Sequence, residues 1–265
     1  MNAFTIKLLE GVTCRVNGLN KFSLQLHSVW SEILLATVDI DHRQQFTESC
    51  YSNSSEYYVS AKHMKLFDWE MEVIDEYFPK APARILIGGC GRGREVLNFL
   101  KMGYEVICFD PCTEFITDMQ LHIKDKHILA SLKCTYEDLI DDDSIVEQFA
   151  PFDAFLFGWG SFAHIMDNNQ RDEILRVAKR ICPNGPIVLS WPRVAGFEVG
   201  PKTKALRSIL EFIGLDNHKS DDSYHRDSGF VKTLNNEIVS EMAKRTGYTA
   251  HFPKIENSYP FAVMT

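Results

Sequence analysis

No run of about 18 apolar residues occurs in the 265-residue chain, so a membrane span is not expected. The start, MNAFTIKLLEGVTCRVNG, lacks a charged head, a sustained apolar stretch and a small-residue cleavage site, so it does not read as a secretory signal. Cysteine pairing is equally sparse. Cys14, Cys50, Cys90, Cys108, Cys112, Cys134 and Cys182 are odd in number and scattered, with no Cys-x-x-Cys. That arrangement supports neither a zinc knuckle nor a redox dithiol. Several of them sit in apolar runs as small hydrophobes, which fits a reducing, cytoplasmic location. Positive charge is short as well: 28 Lys+Arg face 36 Asp+Glu, a net charge of −8. Such a balance speaks against nucleic acid or an anionic membrane surface as partner. No internal repeat or low-complexity tract interrupts the chain.

Against these absences, 45% apolar and 24% charged residues make an ordinary globular chain, long enough to bury a full core. Phe22, Leu26, Val29, Trp30 and Ile33 recur at near-helical spacing, while Thr47 to Ser60 is polar and reads as a loop or hinge. Lys65 to Phe78 is a better helix, with Leu66, Trp69, Val73 and Tyr77 on one stripe and Pro79 as its stop. From Arg84 onward strands and helices alternate. Strands are expected over Arg84–Ile87, Glu105–Asp110, Ser131–Thr135, Asp153–Phe157 and Pro186–Trp191. Helices are expected over Glu95–Lys101, Thr113–Lys126, Arg171–Ile181 and Leu234–Arg245. Tyr248–Phe252 and Phe261–Met264 can close the chain as an antiparallel pair. This order predicts an α/β fold: a Rossmann-like, seven-stranded, mostly parallel sheet with helices on both faces. Residues 1–64 then form an N-terminal helical extension or lid on a domain of residues 65–265.

The informative segment is Arg84-Ile85-Leu86-Ile87-Gly88-Gly89-Cys90-Gly91-Arg92-Gly93-Arg94-Glu95. An apolar strand enters glycines and leaves directly into a helix. Glycines there turn the backbone sharply and let a ligand lie on bare main chain, beside the N–H groups of the helix start. The second strand ends at Asp110, roughly 20 residues on, where a carboxylate can accept both ribose hydroxyls of an adenosine-containing ligand. A dinucleotide fingerprint needs a small residue at the sixth position from Gly89 for close helix packing; Arg94 stands there. No Gly-Lys-Ser/Thr follows, which excludes a P-loop.

With Gly89-x-Gly91-x-Gly93 and Asp110, the sequence resembles the class I S-adenosylmethionine-dependent methyltransferases. It departs from their first motif at the acidic lead position, which is Ile87. The resemblance implies S-adenosylmethionine as cofactor. Gly89, Cys90, Gly91 and Gly93 would form the loop beneath it, Asp110 would take its ribose, and Pro111 and Cys112 would lie on the adenine. The family's third motif resembles Tyr136-Glu137-Asp138-Leu139, with Thr135 in place of the usual leading Asp, so Tyr136 or Glu137 inherits the adenine amine. The fourth resembles Phe152 to Ile165 and places Gly158 and Trp159 beside the cofactor.

Methyl transfer by in-line displacement to a small-molecule acceptor is the expected activity, with positioning as the protein's main contribution. His164 is the expected base if the acceptor arrives protonated. Tyr58, Phe162, Trp191 and Tyr224 are expected to line the acceptor pocket, with His225 beside them and with Tyr57 and His63 on a lid. The rival readings are an NAD(P)-dependent oxidoreductase, a non-catalytic S-adenosylmethionine-binding protein and a protein methyltransferase. No metal site is expected: Asp138 to Asp143 reads as a solvated loop and Asp167-Asn168-Asn169 as a helix cap. The chain is expected to act as a monomer or homodimer.

Overall fold

A computed structural model of the chain describes residues 26–53, 65–124, 127–192, 201–215, 221–225, 228–256 and 258–265. Helix α1 covers 26–37 and α2 covers Ile40–Asn53. The alternating part begins with α3 (Asp68–Tyr77), β1 (Arg84–Gly88), α4 (Arg94–Lys101), β2 (Glu105–Asp110), α5 (Thr113–His122) and β3 (Ile128–Lys133). It continues through α6 (Tyr136–Asp141), α7 (Ser144–Glu147), β4 (Ala154–Phe157), a 3-10 turn at Ser161–His164, α8 (Asn168–Ile181) and β5 (Ile187–Ser190). The last elements are α9 (Pro201–Phe212), β6 (Asp222–His225), β7 (Gly229–Lys232), α10 (Asn236–Thr246), β8 (Ala250–His251) and β9 (Phe261–Met264).

Seven strands form one sheet in the order β3-β2-β1-β4-β5-β9-β8. The first five in that order run parallel, and β9 joins β5 antiparallel and pairs with β8 antiparallel. This is the sheet expected from the sequence, including its closing antiparallel pair. The central strands are almost unbroken apolar runs because both faces are covered. On one face Leu86, Ile107, Phe155 and Leu189 join Ile174, Ala178 and Met242. On the other, Ile85, Ile87, Val106 and Leu156 join Trp69, Val73, Val96 and Phe99.

Local signals set the helix ends. Asp167 caps α8 by accepting from Asn169 N at 2.7 Å, the role its sequence context implied. Asn235 caps α10 in the same way, and Gly247, at φ 80°, closes it. Helix α5 stops at His122, one turn before the expected end, and the third strand spans Ile128–Lys133, upstream of the expected Ser131–Thr135.

Helix α6 replaces the solvated loop expected from Asp138 as far as Asp141, because Thr135 caps it by accepting from Asp138 N and Leu139 is buried; α7 and the 3-10 turn were not expected either. Three larger elements were also not anticipated. The stretch expected to be a loop from Thr47 continues as helix α2 through Asn53. Its polar sequence hides the helical period, because it docks through polar groups. Arg43 is buried and pairs at 2.5 Å with Asp222 of β6, whose other oxygen meets Lys232 of β7 at 2.5 Å. Thr47 Oγ1 accepts from Phe230 N at 3.0 Å, and Phe46 packs edge-on to Phe230. The second unanticipated element is that hairpin, β6–β7, and the third is α9, tied to α1 by a bidentate Arg207–Glu32 pair. Among the described residues no helix is long and apolar enough to cross a membrane.

Candidate functional site

Strand order reverses on the two sides of β1, with β2 to one side and β4 to the other. At such a switch point the loops leaving the strand ends diverge and open a crevice. A cavity of about 750 Å³ lies there. Its floor comes from the segments after β1 (Gly89–Arg92), β2 (Asp110–Cys112), β3 (Thr135–Glu137) and β4 (Trp159–Ser161). Its roof comes from Gln44, Thr47, Glu48 and Tyr51 of α2 and from His225, Ser228 and Val231 of the hairpin.

The glycine loop is shaped by contacts beneath it. Gly89 has φ +64°, and a Cβ there would come within 2.4 Å of Ser161 Cβ. Ser161 is held in turn by the Tyr136 hydroxyl at 2.7 Å, so Tyr136 supports the loop from below. Gly91, at φ +53°, would meet nothing within 4 Å: its bare backbone faces open space. Asp110 Oδ2 accepts from Gly91 N at 2.8 Å and its Oδ1 from Cys112 N at 2.9 Å. Loop and acid therefore meet on one side of the sheet. Burial pushes the Asp110 carboxyl up to about 6, against the two N–H groups that favour its charge. Burial likewise raises Glu137.

The arginines of the loop are committed elsewhere. Arg94 forms a fork with both oxygens of Glu70 at 2.7 and 2.6 Å, and reaches Glu95 at 2.6 Å. Arg92 pairs with Asp118 at 2.8 Å and lies over the Phe115 ring. The side chain whose size breaks the dinucleotide fingerprint thus serves as the bond between α3 and α4.

His164 stands on the wall between the floor and the roof. Its Nδ1 lies 2.8 Å from the Phe230 carbonyl and its Nε2 lies 2.8 Å from the Tyr51 hydroxyl. A carbonyl only accepts, so Nδ1 carries the proton and Nε2 accepts from Tyr51. Burial, helped by nearby His225, holds the imidazole down to about 4 despite the carbonyl bond. At neutral pH the ring is uncharged.

Gly89, Cys90, Gly91, Asp110, Pro111, Cys112, Tyr136, Glu137, Trp159 and His164 all border the cavity. Other expected residues do not. Gly93 is a left-handed helix cap packed on Met119, and Gly158 passes so close to Gly89 O that a Cβ would sit 2.4 Å away. Both shape the loop from behind. Phe162, expected in the acceptor pocket, is fully buried against Phe157, because in the 3-10 turn its neighbours Ser161 and His164 take the cavity side. Trp191 is core for a similar reason of alternation, leaving Pro192 on the wall. Tyr224 packs on Phe46 and Phe230 behind the hairpin, while His225, next along the strand, faces the cavity. Tyr57, Tyr58 and His63 lie outside the described residues. Sequence reasoning missed Glu48 and Tyr51, because the period that marks an amphipathic helix is absent from α2. It also missed Tyr259, which forms an aromatic rim with Trp159 at 5.0 Å and Phe67 at 5.9 Å.

Fold and site together define a class: the chain has the fold of the class I S-adenosylmethionine-dependent methyltransferases, as its motifs implied. Residues 50–156 match the model of the family described as tellurite resistance protein TehB. Among solved structures the chain is similar to a methyltransferase from Bacteroides fragilis in complex with S-adenosyl-L-homocysteine, at TM-score 0.52 and 19% identity, over 77% of this chain and 78% of that one. It is similar to the sugar N-methyltransferase KedS8 from Streptoalloteichus sp., at TM-score 0.53 and 13% identity, over 80% and 89%. It also resembles the amino pentose methyltransferase CalS10 from Micromonospora echinaspora, a SAM-bound structure, at TM-score 0.50 and 11% identity, over 77% and 93%. No curated protein matches the sequence.

Proposed function

We propose that the chain is an S-adenosylmethionine-dependent methyltransferase acting on a small-molecule acceptor. The observation that carries this reading is the meeting of bare glycine backbone and the Asp110 carboxylate on one open cavity at the switch point. The residues present fit the cofactor. Ionised Asp110 would accept ribose hydroxyls, Gly89 and Gly91 would leave main chain uncovered beside the nucleoside, and Pro111, Cys112 and Glu137 would lie toward the adenine. When bound, the cofactor supplies a methyl group already activated by its sulfonium charge.

The chain's own residues then bind, align and exclude water; alignment of this kind contributes roughly 7–11 kcal/mol in favourable systems. Helix α2 roofs the site, and Trp159 and Tyr259, packed edge-on to each other, add an aromatic wall. His164, neutral at pH 7, accepts a proton at Nε2. A small-molecule acceptor is supported by the cavity, which at about 750 Å³ would have to hold the cofactor as well and so leaves space for a compact acceptor under α2 and the hairpin. An NAD(P)-dependent role is disfavoured by Arg94, whose forked pairing with Glu70 fills the place of the third small residue.

Calorimetry with S-adenosylhomocysteine tests the reading. Micromolar or tighter binding is expected. Asp110→Ala is expected to weaken it by about 1.5–3 kcal/mol, the scale of hydrogen bonds to a charged group. Absence of binding by the unaltered chain rejects the assignment.

A further inference from the structure

Tyr51 belongs to α2, a helix that the glycine-loop site does not require, yet its hydroxyl ends on His164 Nε2 at 2.8 Å. Both residues border the cavity. The other end of the imidazole is fixed by a main-chain carbonyl, so the direction of the chain of hydrogen bonds is fixed too: Tyr51 O–H to Nε2, and Nδ1–H to Phe230 O. The nitrogen expected to act as base is thus covered by a phenol. A phenol that donates its hydrogen can also accept one, so a hydroxyl bordering the cavity can pass a proton from a bound acceptor to Nε2. The tyrosine ring is held edge-on to His164, with centroids 5.5 Å apart, and edge-on to Phe115 at 6.1 Å. Helix α2 is pinned by buried Arg43 on Asp222 and by Thr47 on the Phe230 amide. The same residue, Phe230, therefore orients His164 through its carbonyl and Tyr51's helix through its N–H.

We propose that Tyr51 is a catalytic residue that takes the proton of a protic acceptor, a hydroxyl or N–H compound, and relays its own proton to His164. This rests on the methyltransferase reading above. As the bond from the acceptor atom to the methyl carbon forms, the acceptor's bond to hydrogen breaks and that proton goes to Tyr51 Oη. The phenol proton passes to His164 Nε2. The electron pair of the broken sulfur–methyl bond stays on sulfur, and the single positive charge moves from sulfur to the imidazole. Charge and atoms balance with no further reactant.

Tyr51→Phe tests this, because it removes only the hydroxyl and keeps the ring contacts. The readouts are S-adenosylhomocysteine affinity by calorimetry, turnover of catechol, histamine and tyramine followed as S-adenosylhomocysteine formed, and the 15N resonances of His164. The expected result is unchanged affinity, turnover of at least one probe slowed about a hundredfold, and a shifted Nε2 resonance with the Nδ1–H form retained. His164→Gln should slow turnover to a similar degree, and combining both changes should add little further loss. Wild-type turnover by Tyr51→Phe overturns the proposal, as does failure of the unaltered chain to turn over any of the three probes while it binds S-adenosylhomocysteine. Loss of binding by the unaltered chain would instead remove the underlying methyltransferase reading.

Discussion

Asp110 and His164 lie in one cavity with displacements of opposite sign. Burial holds Asp110 up to about 6 and His164 down to about 4. The folded chain therefore binds the Asp110 proton more tightly than the unfolded chain. Its contribution is stabilising at low pH and is lost as pH rises through about 6. For His164 the unfolded chain binds the proton more tightly, so its contribution is present above the unfolded value of 6.5 and lost as pH falls toward about 4. The two effects offset each other in the same window. Asp110→Asn should unmask the histidine: relative to wild type its stability should fall as pH drops from 7 to 4.5, as read by urea unfolding at both values. A parallel pH dependence in the two proteins would contradict the displaced values. Below about pH 6 the protonated acid should also bind S-adenosylhomocysteine less tightly, which calorimetry across pH 5–8 checks. At the loop, Gly89→Ala places a Cβ against Ser161 at a positive φ. A loss of about 1–3 kcal/mol in stability is expected, with reduced ligand affinity, measured by unfolding and calorimetry.

Helix α2 and the β6–β7 hairpin behave as one device. Two positive and two negative side chains, Arg43, Lys232, Asp221 and Asp222, join them, with Arg43, Lys232 and Asp222 buried. Burial alone would discourage ionisation of Asp222, but Lys232 and Arg43 more than offset it, and its pKa is lowered. Removing one partner leaves a buried charge uncompensated, which costs roughly 3–5 kcal/mol. Asp222→Asn should therefore destabilise the chain on that scale in chemical unfolding, and should loosen α2 before the sheet. Hydrogen exchange faster at residues 44–51 than in β1 and β4 is the expected signature. At this scale the sequence was only partly legible. Elements that bury an apolar face, such as α3 with Trp69 and Val73 or α8 with Ile174 and Ala178, announce themselves by period. Helix α2 buries Arg43 and Thr47 instead, and the hairpin is two short strands with no contrast against their surroundings, so neither left a periodic trace.

Across the whole molecule, the site is assembled from the ends of the five parallel strands, one helix from the first 53 residues, one hairpin from beyond residue 220 and the segment before β9. A ligand that bridges these parts stabilises the folded state by mass action, about 2.7 kcal/mol at a hundredfold excess over its dissociation constant. S-adenosylhomocysteine should raise the thermal midpoint by several degrees, and NADH should leave it unchanged. The reverse pattern would favour the oxidoreductase.

By itself the sequence determined the sheet, its parallel core and the glycine loop facing Asp110. Each is written in short-range pattern: apolar strands too uniform to face water, glycines where the backbone must turn, and an acid at a strand end. Tertiary structure alone decided which aromatics face the cavity, since a one-residue step sends Phe162, Trp191 and Tyr224 into the core and leaves Ser161, Pro192 and His225 on the wall. It also decided that Tyr51 reaches His164, a contact between residues 113 positions apart. Such a contact depends on how a polar helix docks, and docking through buried charge and main-chain hydrogen bonds has no periodic signature in the chain.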